Sequence, residues 1–149
     1  MMKTLRQIEA DVTTLAGRIG ASADDLPTYG TTRDFGYSHV EIDGDRYHYV
    51  TVERGKELSR KSTVNYDELL YWVFSEATRN LAFAYELKNR IEDQDCRRIA
   101  FPKQVELMNC ISSEMAARCS AEIAETLSQA PYDDEPTKAV NRMQHSDSA

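Results

Sequence analysis

The segment SHVEIDGDRYHYVTVER, residues 38–54, decides the fold that the sequence predicts. Residues of high strand propensity flank the tripeptide Asp43-Gly44-Asp45, and an Asp-Gly pair between two such runs is a strong hairpin signal. We therefore predict strands over 38–42 and 46–54. A third strand over 56–63 remains open; it would lie at the sheet edge, where its lysines and arginine discourage pairing with another sheet.

Two histidines flank the predicted turn. If the loop has two residues, Asp43 and Gly44, then His39 and His48 face each other across the strands. A register shift of one residue instead places His48 opposite Glu41. A metal needs third and fourth ligands that the sequence does not nominate, so we predict no metal site.

An amphipathic helix precedes the hairpin. Thr4 and Gln7 predict a capping box at its start, and Gly20 predicts a left-handed turn at its end. Its apolar residues recur at spacings of three and four, which predicts one buried stripe: Leu5, Ile8, Val12, Leu15 and Ile19.

Residues 21–37, between helix and hairpin, predict a loop, because these residues break every period: Asp24, Asp25, Pro27, Gly30 and Gly36. We expect its aromatic residues Tyr29, Phe35 and Tyr37 to anchor it over the core.

Three helices are predicted after the hairpin. Asn65 and Glu68 cap the first, which runs to about Ile91. The second, over 96–111, is predicted to be interrupted or kinked at Pro102. The third begins at a serine cap, Ser112 or Ser113, ends at Pro131, and carries the apolar stripe Met115, Cys119, Ile123 and Leu127.

This order predicts an α+β fold: an N-terminal helix, a small antiparallel sheet, and then three helices packed on one side. We expect a single domain over residues 1–132, since 149 residues suit one core. The polar residues 133–149 have little to bury and are expected to form a mobile tail.

The charge, hydropathy pattern and cysteine spacing argue against several classes of function. A net charge of -7 argues against a general nucleic-acid-binding surface. No stretch approaches the length of a membrane span, and the N-terminus lacks the apolar centre of a signal peptide, so we expect a cytoplasmic protein. The spacing of the three cysteines suggests neither zinc ligands nor a redox pair, which leaves three reduced thiols: Cys96, Cys110 and Cys119.

The motifs of phosphate cradling, nucleophile elbows and zinc proteases are absent, and we predict neither an enzyme nor a cofactor. A run of mixed charges is the remaining candidate. Its acids could supply a catalytic carboxylate pair, but basic residues alternate with them, which favours a solvated, salt-bridged contact surface. The run comprises Glu86, Lys88, Arg90, Glu92, Asp93, Asp95, Arg97 and Arg98.

An aromatic-rich segment surrounds the start of the first predicted post-hairpin helix. It indicates either core packing or an exposed interface cluster. Tyr66, Tyr71 and Trp72 cannot all face inward if Leu70 and Phe74 do, so at least one is predicted to be exposed.

From Leu26 to about Asp134 the chain resembles the immunity protein 63 family, the antidotes encoded beside toxins in bacterial polymorphic-toxin systems. The order and spacing of five segments carry the resemblance: LPTYG (26–30), YHYVTVERG (47–55), DELLYWVF (67–74), LAFAYELKNRIEDQDCRR (81–98) and PYDD (131–134).

The resemblance implies a stoichiometric inhibitor that binds a cognate toxin protein in the cytoplasm without a cofactor. Neither nucleic acid nor membrane is expected as a partner, and the chain is expected to be a monomer or a weak homodimer. Together with the charged run, it nominates seven candidate contact residues: Trp72, Glu86, Glu92, Asp93, Asp95, Arg97 and Arg98.

Other interpretations remain open. Arg54, Asp95 and Arg98 could hold the fold together through ion pairs, with toxin specificity residing in the loop over 21–37. The protein could also be an adaptor that self-associates around Trp72, or a small hydrolase that uses carboxylates or histidines.

Overall fold

The computed structural model describes residues 2–139 and Met143, and the chain divides into two compact units, Met1–Ala77 and Thr78–Ala149. The predicted α+β class is confirmed. Much of the predicted tail, residues 140–142 and 144–149, lies outside the described residues.

Helix α1, Leu5–Ala16, opens the first unit and begins with the predicted capping box. The Thr4 side chain accepts a hydrogen bond from the Gln7 backbone N–H at 3.1 Å, and the Gln7 side chain accepts one from the Thr4 N–H at 2.9 Å. The chain leaves the helix through Gly20, whose φ of 67° is the left-handed conformation that glycine tolerates best. The buried stripe consists of Ile8, Val12 and Ala16.

The sheet of the first unit has four strands in the order β1-β2-β3-β4. They are β1 (Thr28–Tyr29), β2 (Ser38–Asp43), β3 (Arg46–Glu53) and β4 (Lys56–Thr63). The third strand that the sequence left open is therefore present as β4, at the edge. The prediction of a purely antiparallel sheet is wrong, because β1 pairs with β2 in parallel. A strand of two residues is too short to show the alternation from which strands are recognised.

The hairpin register selects one of the two predicted alternatives. Asp43 pairs with Arg46, so the turn residues are Gly44 and Asp45, and His48 lies opposite Glu41. Gly44 has a φ of 61° at the first turn position. A positive φ there is typical of the hairpin turns that match the twist of the strands.

Helix α2, Tyr66–Lys88, begins in the first unit. Its N-terminus is capped as predicted, since the Asn65 side-chain oxygen accepts a hydrogen bond from the Asp67 N–H at 2.8 Å. The first half of α2 lies against the sheet: the rings of Tyr47 and Tyr66 are 5.6 Å apart, and the Tyr49 hydroxyl donates to the Glu76 carboxylate.

Most of the aromatic-rich segment is therefore core. Tyr47, Tyr49 and Tyr71 are buried, whereas Tyr66 and Trp72 are half-buried.

The second unit contains the remainder of α2 together with α3 (Arg97–Ile111) and α4 (Ser113–Gln129), which pack against each other. Helix α2 ends at Lys88, one turn before the predicted Ile91. Helix α3 runs without interruption through Pro102, so of the two predicted alternatives the break is wrong. Proline in a helix interior costs one backbone hydrogen bond, and the apolar face of α3 compensates by burying Ala100, Met108 and Ile111.

Helix α4 begins at the predicted serine cap, with the Ser112 hydroxyl accepting a hydrogen bond from the Met115 N–H at 3.3 Å. Its buried residues are Ala116 and Cys119. All three cysteines are free thiols, as predicted. Burial raises the pKa of Cys119 to about 11, so this thiol stays protonated at neutral pH.

The loop over 21–37 meets the sheet at the aromatic residue Tyr29 and at the backbone of Tyr37, whose carbonyl oxygen accepts a hydrogen bond from the Val52 N–H. Tyr29 forms part of β1, and the guanidinium of Arg33 lies 4.0 Å from the centroid of the Tyr37 ring. The prediction that Phe35 is an anchor is wrong, because its exposed fraction is 84%. Asp34 and Phe35 both have left-handed backbones, with φ of 58° and 56°, which costs roughly 1–2 kcal/mol for each non-glycine residue.

Candidate partner-binding surface

Six of the seven predicted contact residues belong to the second unit, where α2 ends and α3 begins. These six residues differ in their exposure to solvent. Glu86 and Asp95 are buried and Arg97 is half-buried, whereas Glu92, Asp93 and Arg98 are exposed.

Asp95 is the centre of this region, with an exposed fraction of 8%. Its carboxylate accepts hydrogen bonds from the Arg97 guanidinium at 2.9 Å and from the Asp133 backbone N–H at 3.0 Å. Its own N–H donates to the Asp134 carboxylate at 2.7 Å. The hydrogen bonds from the Arg97 side chain, helped by backbone N–H groups, outweigh burial and lower the pKa of Asp95 to about 2.

Arg97 and Arg98 also bind residues of the segment that follows α4. Arg97 donates to the carbonyl oxygens of Ala130 and Pro131, each at 2.8 Å. Arg98 pairs with Asp134 at 3.0 Å, and its guanidinium lies 4.7 Å from the centroid of the Tyr132 ring. These contacts bind the segment after α4 to the start of α3, which is the internal ion-pair role that the sequence had left open for Asp95 and Arg98.

Glu86 also makes an internal pair. Its carboxylate is only 2% exposed and accepts two hydrogen bonds from Arg90, from Nε at 2.9 Å and Nη2 at 3.0 Å. Because a buried carboxylate is costly unless it is paired, this bidentate contact explains how the charge is accommodated. Glu86 thus serves the fold of α2.

Glu92 and Asp93 form an exposed acidic turn between α2 and α3. Asp93 has a φ of 62°, a left-handed conformation in which Asp and Asn are enriched among non-glycine residues. Of the predicted charged residues, these two and Arg98 are exposed, and the Arg98 guanidinium is also paired with Asp134.

Trp72, the seventh predicted contact residue, lies in the first unit on α2. Its ring is half-buried, and the ammonium of Lys61 on β4 lies 5.7 Å from the ring centroid. The pair offers a mixed aromatic and cationic surface at the edge of the sheet.

The hairpin histidines are engaged with side chains of the sheet. His39 Nε2 and Glu41 Oε2 are 2.6 Å apart, and His48 Nδ1 lies 2.6 Å from the Ser62 hydroxyl. Among residues 2–139 and Met143, no three His, Cys, Asp or Glu side chains come together as a metal-binding group. Over the same part of the chain, no helix has the length and apolar character needed to cross a membrane.

Sequence reasoning missed one concave feature, an open groove of about 470 Å³ between α1 and the loop over 21–37. Glu9 and Thr13 of α1 line one side, and Tyr29 and Arg33 line the other. The residues come from two consecutive segments, α1 and the loop after it, and the helical period does not reveal which part of the loop folds back onto α1.

Comparison with known proteins places the chain in a family. Residues 43–125 match the sequence pattern of the family described as Immunity protein 63. The match contains three of the five segments that carried the resemblance, 47–55, 67–74 and 81–98, and stops short of 26–30 and 131–134. Searches of the curated proteins and of the solved structures found no significant match. Because the matched region is more than half of the chain, this protein belongs to the immunity protein 63 family, whose members are immunity proteins of polymorphic-toxin systems.

Proposed function

We propose that this protein neutralises a cognate toxin protein in the cytoplasm by forming a stoichiometric complex, without catalytic turnover. Membership of the immunity protein 63 family over residues 43–125 is the observation that carries the proposal. An antidote of this kind needs a stable scaffold and an exposed recognition surface. It needs no reactive group of its own.

The charge of the chain favours a basic partner. The net charge is -7, and Glu92 and Asp93 place two carboxylates on an exposed turn. Acidic groups of this kind raise the association rate with a positively charged surface through long-range attraction. We therefore assign Glu92 and Asp93 the role of steering the toxin.

Direct contact is assigned to Trp72 and to Arg98, whose exposed guanidinium also pairs with Asp134 through Nε, whereas the acidic turn acts on the encounter. Both side chains offer the cationic or aromatic surface that is enriched at interface hot spots. The remaining predicted contact residues, Glu86, Asp95 and Arg97, hold the ends of α2 and α3 in place through internal hydrogen bonds. Their replacement would act on binding through the fold.

Co-expression with the product of the adjacent upstream reading frame tests the proposal. We expect this chain to restore survival of cells that express that product and to co-purify with it. Survival without a complex would point to an indirect mechanism. The absence of both rescue and complex would overturn the proposed function.

The charge-neutral double variant Glu92→Gln/Asp93→Asn belongs in the same assay. Its matched control is Asp43→Asn/Asp45→Asn, which removes two exposed carboxylates from the hairpin of the first unit. Both variants change the net charge equally, so a difference between them in cell survival or complex formation depends on where the carboxylates lie in the chain.

A further inference from the structure

Phe35 is the most exposed large apolar side chain in the described part of the chain, at 84%. It stands at the tip of the loop over 21–37, in the first unit. An exposed single apolar residue is ordinary by itself. Phe35 differs because its backbone is held in a conformation that an aromatic residue rarely adopts, with a φ of 56° directly after Asp34 at 58°.

Hydrogen bonds hold this tip in place. The Asp34 carboxylate accepts from the Phe35 N–H at 2.8 Å and from the Gly55 N–H at 3.0 Å. The Gly36 N–H donates to the carbonyl oxygen of Val52 at 2.8 Å. One carboxylate thus joins the tip to the turn between β3 and β4, and the backbone beside it is tied to β3. The unfavourable backbone conformation is imposed by the sheet beneath it.

A rigid loop that exposes an aromatic ring to solvent is suited to inserting that ring into a pocket on a partner protein. Strained residues persist where surrounding contacts enforce them, and they concentrate at sites of recognition. Because the loop is already ordered, binding would not have to order it, and the Phe ring has only two side-chain torsions to fix. A projecting ring of this kind fits a concave apolar pocket and does not fit a flat or convex surface.

The position of the tip in the chain indicates the partner. The family match begins at residue 43, so Phe35 lies outside the matched region. Discrimination between toxins requires residues that differ among antidotes, whereas a shared scaffold needs the residues that the family has in common. A rigid exposed anchor outside the matched region, in the loop over 21–37 where toxin specificity could reside, suits recognition of one particular toxin.

We infer that Phe35 is a specificity anchor that inserts into an apolar pocket on the cognate toxin domain. The inference rests on the proposed function. Asp34 is its positioning residue, and the exposed Arg54, beside Gly55, supplies charge to the rim of the contact. This surface belongs to the first unit and is separate in sequence from the acidic turn at Glu92 and Asp93.

The experiment measures the affinity of Phe35→Ala for the polypeptide encoded by the upstream reading frame, beside the wild-type chain. Truncation of a hot-spot aromatic weakens binding at least about 30-fold, and we expect a loss of this size. The matched control is Val64→Ala, which truncates another exposed apolar side chain, at 60% exposure, and is expected to bind within about 2-fold of wild type. Thermal unfolding of both variants should match wild type.

Asp34→Ala tests the rigid presentation separately, because it keeps the ring and removes the carboxylate that joins Phe35 to Gly55. We expect an affinity between those of wild type and Phe35→Ala, with faster hydrogen exchange at the Gly55 N–H. Unchanged affinity of Phe35→Ala in a chain whose wild type binds would overturn this inference alone. No complex with the wild-type chain would overturn the proposed function and this inference together. A concentration-dependent dimer of the free chain that Phe35→Ala abolishes would assign the tip to a second copy of the chain and overturn the toxin pocket.

Discussion

The carboxylate of Asp95 accepts hydrogen bonds from both the backbone N–H and the guanidinium of Arg97, at 2.9 Å each. The same carboxylate accepts the Asp133 N–H, 38 residues further along the chain. Two residues that sequence reasoning nominated for partner contact thus join the start of α3 to the segment after α4. These internal hydrogen bonds fix the chain directly after the exposed acidic turn at Glu92 and Asp93.

Replacing Asp95 by alanine is expected to destabilise the fold by about 2–3 kcal/mol. The change removes a buried carboxylate, leaves the Asp133 N–H without its acceptor, and leaves the Arg97 guanidinium without its ion-pair partner. Urea denaturation measures the free energy of unfolding. The control Asp43→Ala removes an exposed carboxylate and should change it by less than about 0.5 kcal/mol. Equal effects of the two changes would contradict the structural role of Asp95.

The Asp95 carboxylate also predicts a dependence of stability on pH. Its pKa in the fold is about 2, below the model-peptide value of 3.8. A lowered pKa contributes stability that is present above pH 4 and disappears as the pH falls through 2, and the shift corresponds to about 2 kcal/mol. The difference in unfolding free energy between wild type and Asp95→Asn should therefore shrink by about 2 kcal/mol between pH 5 and pH 2. A constant difference over that range would refute this assignment.

Glu86→Gln is expected to cost about 1–2 kcal/mol of stability. The amide keeps the size of the side chain but turns one acceptor of the bidentate Arg90 contact into a donor inside a site that is 2% exposed. Chemical denaturation measures the change. Glu106→Gln is the matched control, because that side chain is 67% exposed and pairs only with Lys103 in the described contacts. A Glu86→Gln variant as stable as the control would show that the pair contributes little.

Neutralising the acidic turn is expected to slow association with the toxin and to leave dissociation nearly unchanged. Glu92→Gln/Asp93→Asn removes two exposed charges, and asparagine tolerates the left-handed backbone at position 93. Steering acts on the encounter, so we expect an association rate lower by about 3- to 10-fold at low salt, with a weaker salt dependence. Stopped-flow mixing measures both rates. Equal association rates for this variant and Asp43→Asn/Asp45→Asn would remove the steering role.

Local signals in the sequence predicted most of the fold. The Thr4 and Gln7 capping box and the Asn65 cap depend only on neighbouring residues, and both are present in the structure. The predicted hairpin is present too, with Gly44 and Asp45 as its turn residues. Strand β1 was missed because Thr28 and Tyr29 pair with β2 through the backbone, in a segment too short to show a period.

The candidate site was less predictable than the fold. The pairing of Glu86 with Arg90 follows from helical spacing, but the contact of Asp95 with Asp133 joins positions that only the folded chain brings together. Phe35 was predicted to pack inward, as aromatic residues in loops usually do, but it is exposed. No local pattern in the sequence indicates that the Asp34 carboxylate accepts a hydrogen bond from the Gly55 N–H. Long-range hydrogen bonds leave no periodic signal.

The most direct test of stoichiometric neutralisation is a titration of the purified toxin's activity against this protein, with the toxin held well above the dissociation constant. The proposed function predicts that activity falls linearly and reaches its floor at one molecule of this chain per molecule of toxin, with the same endpoint after longer incubation. A floor reached far below one equivalent and moving with time would show turnover, and activity that stays constant past several equivalents would show that the toxin is not neutralised by binding this chain.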